Sequence, residues 1–264
     1  MTADYRPPTF REQLGIQVRV VWALIMREMI TRFGREGLGV LWIMAEPAMF
    51  VVGVMVIFSN TETTAKYPVA EYLAVSYPTL LFWRNATNRV IKAIDFNRAL
   101  LHYKPILPMD ILYSRIILEF AGATASFLVL FVVLIVIGIC QIPADPLTMI
   151  LGYFLVIWFS FDFVLIMAAL SELSESIERV SHVILYLMMP VSGVFLPTYV
   201  LPPRLAEMMT YFPLIDAVEY FHHGYYGDRM PTLYHIDYTV FALSFFTLFA
   251  LSLVHYAIRR VQLN

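Results

Sequence analysis

Long apolar runs separated by short polar or proline-bearing stretches set the pattern of this chain. Six runs are long enough to be read as transmembrane helices, at about 38–59, 69–90, 111–139, 147–170, 180–196 and 238–258. A helix crossing the hydrocarbon core of a bilayer needs about 20 residues, predominantly apolar. The first run is interrupted by Glu46-Pro47. The second loses its apolar character after Trp83 and continues as a basic stretch through Arg84, Arg89 and Lys92. Pro105 and Pro108 end that stretch, Pro143 and Pro146 close the third run, and Pro197 stops the fifth. Proline has no amide hydrogen and cannot continue a helix through its position.

Residues 12–33 carry a different period. Val18, Trp22, Ile25, Met26, Met29, Ile30 and Phe33 fall on one face of a helical wheel, with Gln13, Gln17, Arg27, Glu28 and Thr31 opposite. Charge interrupts the segment too often for it to span, so the pattern predicts a helix lying in the membrane interface, with Trp22, Arg27, Arg32 and Phe33 as its marker residues. Gly34, Gly37 and Gly39 then loosen the chain ahead of the first span. The expected organisation is a cytoplasmic N-terminus (1–37), one transmembrane domain (38–258) and a short cytoplasmic tail (259–264).

Composition strengthens this reading. Hydrophobic residues make up 60% of the 264 positions and charged residues only 14%, against about a quarter charged in soluble domains. That length holds six or seven spans with short loops and no separate soluble domain. The single cysteine, Cys140, excludes an intrachain disulfide and a thiolate metal cage. No cleavable signal peptide is expected, because no short apolar run near the N-terminus ends in a small-residue cleavage site.

Charge placement orients the chain. With six spans, both termini share one side, and the segments on that side hold 15 of the 18 Lys and Arg residues. The exceptions are Lys66, Arg204 and Arg229. The positive-inside rule puts that side in the cytoplasm.

Candidate chemistry is sparse. No Gly-Lys dipeptide occurs, so the chain has no phosphate-binding P-loop. An active transporter built on it would draw energy from an ion gradient or a partner ATPase. The cytoplasmic segment 97–108 is short and amphipathic between two long helices, with Asn97, Leu100, Leu101, His102, Tyr103 and Lys104 as docking candidates. A basic loop that only fixes topology is the alternative. Glu46 lies about eight residues, or roughly 12 Å, into the first span. A carboxylate at that depth faces a cavity or a partner. Trp42, Glu46 and Pro47 are therefore path-lining candidates, with helix packing as the other reading. Glu119 and Asp162 are read as packing residues.

The segment 197–236 holds five prolines and many aromatics. It predicts a re-entrant or short-helical outer piece ahead of the last span. Tyr211, Tyr220, Tyr225 and Tyr226 are candidates for contact with a passing substrate, or members of an interfacial aromatic belt. His222, His223, His235, Asp228 and Asp237 show no recognised ligand spacing, so no metal site is expected.

Two stretches resemble a known family. Residues 24–50, LIMREMITRFGREGLGVLWIMAEPAMF, are similar to the N-terminal signature of polysaccharide-export ABC permeases. In that signature an interfacial helix ends in Thr-Arg-Phe-Gly and the first span begins Leu-Gly-x-Leu-Trp, followed by Glu-Pro. Residues 213–227, PLIDAVEYFHHGYYG, are similar to the family's outer segment, and the Pro190–Pro197 pattern and the 97–108 loop also fit. The compact loops look most like the capsule-export branch, with O-antigen and teichoic-acid-type exporters as near alternatives. The resemblance implies a homodimer of six-span subunits in the bacterial inner membrane, with two copies of a separate ATPase holding ATP and Mg. It implies a lipid-linked polysaccharide substrate, a periplasmic co-polymerase or adaptor and an outer-membrane export protein. No cofactor on this chain and no nucleic acid are expected.

Two other classes remain open on the residues alone. A drug- or lipid-exporting ABC permease shares the architecture. A membrane-embedded glycosyl- or acyltransferase would need paired carboxylates or a His-Asp set at a membrane face. Glu172, Glu175 and Glu178 lie near such a face without a neighbouring His or Asp pair.

Overall fold

A computed structural model describes residues 9–33, 45, 48–53, 56–57, 69–103 and 105–263. Among them every regular element is helical. In chain order these are α1 (Phe10–Phe33), α2 (Val69–Val90), the single turn α3 (Ala93–Phe96), α4 (Pro108–Val136), α5 (Pro146–Leu173), α6 (Glu175–Val191), α7 (Pro203–Thr210), α8 (Pro213–Tyr226) and α9 (Ile236–Leu263). Three-residue to five-residue 3₁₀ turns occupy Arg98–His102, Thr198–Val200 and Gly227–Arg229.

α4, α5 and the stretch Ile236–Arg260 of α9 are long and apolar enough to cross a bilayer by length and composition alone. α2 is more polar because protein, not lipid, surrounds it: Val75, Leu80, Phe82, Trp83 and Ala86 are fully buried. Polar side chains such as Ser76 and Thr79 are tolerated there because they bond locally, to the carbonyls of Tyr72 and Ser76 respectively. The protein is an all-α polytopic membrane protein.

α5 is the central post and packs on α2, α8 and α9. Its contact with α8 is backbone-close. A Cβ placed on Gly224 would lie 2.1 Å from the Met149 nitrogen, and one on Gly152 would lie 2.5 Å from the Phe221 backbone. Small residues permit such approach between membrane helices. The backbone joins in, with Ala144 and Asp145 amides donating to the Tyr225 and Gly224 carbonyls at 3.0 and 2.8 Å. α8 is thus strapped to the N-terminal end of α5.

Helix ends depart from the apolar runs for physical reasons. α6 begins at Glu175, five residues before the fifth run, because Glu175 and Glu178 suit the positive end of a helix dipole. It ends at Val191, since Pro190 breaks its ladder and Gly193 turns with φ of 76°. The stretch 197–236 forms two short helices, α7 and α8, divided at Tyr211-Phe212.

α1 has a wheel turned differently from its apolar pattern. Phe10, Leu14, Val18, Trp22, Met26 and Ile30, every fourth residue, are exposed, while Leu24 and Ile25 are buried against the protein. The polar face, with Gln17, Arg27, Glu28 and Arg32, is turned towards α4 and the segment before it, where acids and an amide wait for it.

Candidate functional site

The segment between α2 and α4 is built from the end of α5 outwards. Lys92 takes a left-handed conformation at φ of 53°, and its amide donates to the Ser171 hydroxyl at 3.1 Å. One carboxylate oxygen of Glu172 accepts the Ile94 amide at 2.9 Å and the Asp95 amide at 3.4 Å. These are the orphan donors of α3's first turn. The last turn of α5 therefore caps the short helix that opens the segment.

Asn97 locks the next corner. Its side-chain nitrogen donates to the Ala93 carbonyl at 2.8 Å, and its oxygen accepts from Arg27 of α1 at 2.7 Å. Asp95 pairs with Arg98 at 2.8 Å and with Lys92 at 3.4 Å. At the far end Asp110 accepts the Leu107 amide at 2.7 Å and also bonds Gln17 of α1. Beneath this, Arg32 pairs with Glu119 and with Glu28, Arg89 with Glu119 at 3.4 Å, and Arg115 with Glu28 at 3.8 Å. These bonds tie the segment to α1, α2, α4 and α5.

The six docking candidates of this segment divide by environment. Leu100 and Leu101 are half-buried and pack, with Ile106, on the core cluster of Ile111, Leu112 and Leu165. Asn97 is buried, and His102 is exposed with its ring on the Arg98 carbonyl. Tyr103 is 68% exposed, and so is Phe96 at 74%. Lys104 lies outside the described residues. Phe96 escaped the sequence reading because it precedes the proline-bounded loop. Its signal was a large apolar side chain beside Asp95, Asn97 and Arg98.

Of the interfacial markers, Trp22 faces outward at 63% exposure, Arg27 is exposed with its guanidinium reaching Asn97, and Arg32 is half-buried on its pair with Glu119. The side chain of Phe33 lies outside the described residues, as do Trp42, Glu46 and Pro47. Glu119 sits in the ion-pair set above, and Asp162 accepts from Thr247 at 3.0 Å.

The outer aromatics do not form one surface. Tyr211 is half exposed, stacked on His235 at 5.6 Å and edge-on to Tyr238 at 5.4 Å. Tyr220 is half-buried against Tyr234 at 5.0 Å. Tyr225 and Tyr226 are buried. The Tyr225 hydroxyl donates to Glu71 at 2.7 Å and accepts the Gln141 amide at 2.9 Å. The Arg229 guanidinium lies 5.7 Å from both ring centroids. Neither ring of Tyr225 or Tyr226 is open at the surface in this structure. Among the described residues no cluster of three His, Cys, Asp or Glu is placed to hold a metal.

The family model described as ABC-2 type transporter matches residues 19–226. The capsule polysaccharide export inner-membrane protein CtrC of Neisseria meningitidis is 34% identical over 248 residues, which covers 93% of this chain and 94% of the relative. The protein of the same description from Haemophilus influenzae, BexB, is 33% identical over 234 residues, 88% of each chain. The polysialic acid transport protein KpsM of Escherichia coli is 26% identical over 213 residues, 79% of this chain and 82% of the relative. The matched region runs from the inward-facing polar stretch of α1, through the capped segment at Asn97, to the end of the strapped helix α8. The chain belongs to the ABC-2 type transporter family.

Proposed function

We propose that this chain is the membrane-spanning permease of an ABC exporter that moves lipid-linked capsular polysaccharide out across the bacterial inner membrane. The observation that carries the reading is the near end-to-end similarity to CtrC, at 34% identity. The segment 91–107, capped by Ser171 and Glu172 and joined to α1 through Arg27 and Asn97, supports it as the element that receives the motion of a separate ATPase. That ATPase, in two copies under a homodimer of this chain, binds ATP and Mg and performs the hydrolysis; this chain binds no cofactor of its own. Both termini face the cytoplasm, a reading that rests on the placement of 15 of 18 Lys and Arg. A periplasmic adaptor and an outer-membrane export protein complete the route.

Deleting the gene in its native host tests this. Surface polymer is expected to vanish while polymer accumulates inside, and the wild-type gene restores export. Normal surface polymer in the deletion strain overturns the reading.

A further inference from the structure

α4 and α5 follow each other in the chain and run antiparallel, yet they barely touch. Each packs closely on α2 instead. The seam between them holds a groove of about 470 Å³, lined by Ile117 and Phe120 from α4 and by Phe154, Ile157 and Trp158 from α5. Tyr113 and Phe161 stack at 6.3 Å across one end, and Phe120 rests edge-on against Phe82 of α2 at 5.4 Å.

The chemistry of the lining is apolar. None of the described lining residues is charged. The Trp158 N–H already donates to the Thr247 hydroxyl at 2.7 Å, which leaves the Tyr113 hydroxyl, at one end, as the other polar side-chain group. A polar group laid along this groove would find no partner. That excludes a sugar, a lipid head group and an extended peptide.

Size narrows the choice further. Spread over the roughly 10 Å between the levels of Tyr113 and Phe120, about 470 Å³ corresponds to a channel roughly 7 Å wide. A helix with its side chains is about 10–12 Å across, so the groove is too narrow to take one in. Hydrocarbon chains pack with their carbons about 4 Å apart, and two fit side by side. Ile117 and Phe154 are exposed at the rim, and Leu128 and Leu151 are exposed further along the same helices. The groove therefore opens on the lipid-facing surface, within the apolar length of both spans.

We propose that this groove is a binding site for the two acyl chains of one bilayer phospholipid, which fills the place of the missing contact between α4 and α5. An empty groove would forfeit the dispersion contacts of its lining. The first acyl chain to bind holds the second at high local concentration, so a two-chain lipid outcompetes a single-chain detergent. Because the lining offers nothing to a head group, the site takes membrane phospholipids without regard to their heads. The inference rests on the membrane-spanning fold and is independent of which polymer is exported.

Trp158 reports the test. Brominated acyl chains quench indole fluorescence on contact. The protein has four tryptophans, so the Trp158 signal is the difference between wild type and Trp158→Phe. The purified full-length protein in detergent is titrated with brominated phosphatidylglycerol, brominated phosphatidylethanolamine and single-chain brominated lysophosphatidylglycerol. Quenching is expected to saturate at one phospholipid per protein, equally for the two head groups, and at about a hundred-fold lower concentration than with the lysolipid. Ile117→Phe puts a ring into the rim and should weaken binding about ten-fold, the worth of roughly two methylene contacts. Val132→Phe, at an exposed position of α4 outside the groove, should change nothing. Melting midpoints separate a filled groove from a lost fold. Should Ile117→Phe not fold, Phe154→Ala, which removes one wall, is expected to weaken binding in the same direction. Quenching that rises without saturation, a preference for one head group, lysolipid binding as tight as that of the two-chain lipid, or an unchanged titration in the folded groove variant overturns the proposal. A Trp158 that no lipid quenches also overturns it, and assigns the groove to a protein segment.

Discussion

Arg27 of α1 donates to the Asn97 side chain across 2.7 Å, and Asn97 passes the link to the Ala93 carbonyl at 2.8 Å. The helix whose apolar stripe faces outward is thus bonded to the segment between α2 and α4. Because the bond joins a charged donor to a buried amide, its loss costs about 1.5–3 kcal/mol in local stability. Arg27→Ala and Asn97→Ala are each expected to reduce export several-fold at unchanged membrane protein level. The double variant should be no worse than the poorer single one, as for two residues sharing one interaction. Additive losses, measured as surface polymer per unit of protein, would assign the two residues separate roles.

The exposure of Phe96 and Tyr103, against the packing of Leu100 and Leu101, separates docking from folding in one segment. Phe96→Asp and Tyr103→Asp should abolish co-purification of the ATPase while leaving the melting midpoint near that of wild type. Leu100→Asp should lower the midpoint as well, because a charge would enter the cluster of Ile111 and Leu112. Retention of the ATPase by the Phe96→Asp, Tyr103→Asp double variant would remove this surface from the interface.

The contact of Gly224 with Met149 leaves no room for a methyl group. Gly224→Ala forces α8 away from α5, and overpacking of this kind costs about 1–3 kcal/mol or more. Loss of folded protein in detergent-solubilised membranes, read by size-exclusion chromatography, is the expected outcome. A wild-type elution profile would show that α8 is free to shift on α5.

The helix at 10–33, the long apolar helices α4, α5 and α9 and the proline-bounded segment were legible because each is a one-dimensional pattern: apolar spacing, run length, or a residue that forbids helix. What was not legible depended on which face a helix turns inward. The wheel of α1 showed two faces but could not show that the polar one meets Asp110 and Glu119, since those acids lie 93 and 87 positions away from their partners Gln17 and Arg32. Tyr225 and Tyr226 illustrate the same limit. Aromatic residues in an outer segment suit a sugar path or a core equally well, and only the approach of α8 to α5 through Gly152 and Gly224 decides that these two are inside.

Asp145 caps the N-terminal end of α5. The carboxylate accepts from the Thr148 hydroxyl at 2.6 Å and from the Leu147 and Thr148 amides at 3.1 and 3.3 Å. The Thr148 hydroxyl and then its amide hold the group below the usual carboxylate range. A lowered folded-state value means the stabilisation is complete above the ordinary aspartate value and is lost as pH falls through the folded one. The melting midpoint of wild type should therefore drop more steeply below about pH 4 than that of Asp145→Asn, which keeps the cap without the charge. Parallel curves would remove Asp145 from the acid response.

Tyr225 and Glu71 carry the last expectation, because their bond separates packing from transport. The Tyr225 hydroxyl reaches Glu71 at 2.7 Å while both residues are buried. Tyr225→Phe keeps the ring against Phe131 and under Arg229 but withdraws the donor from a buried carboxyl. It also strips the Gln141 amide of its acceptor. A buried polar group left without its partner costs about 1–3 kcal/mol, so the protein level should fall. Glu71→Gln retains an acceptor oxygen for the hydroxyl and should be closer to wild type. If the pair is structural, surface polymer will decline in proportion to membrane protein in Tyr225→Phe, with an unchanged ratio between them. If the ratio itself falls, with protein at wild-type level, the hydroxyl acts on the substrate in another conformation of the transporter. Quantifying both from the same cells distinguishes the two, and the burial of Tyr225 argues for the constant ratio.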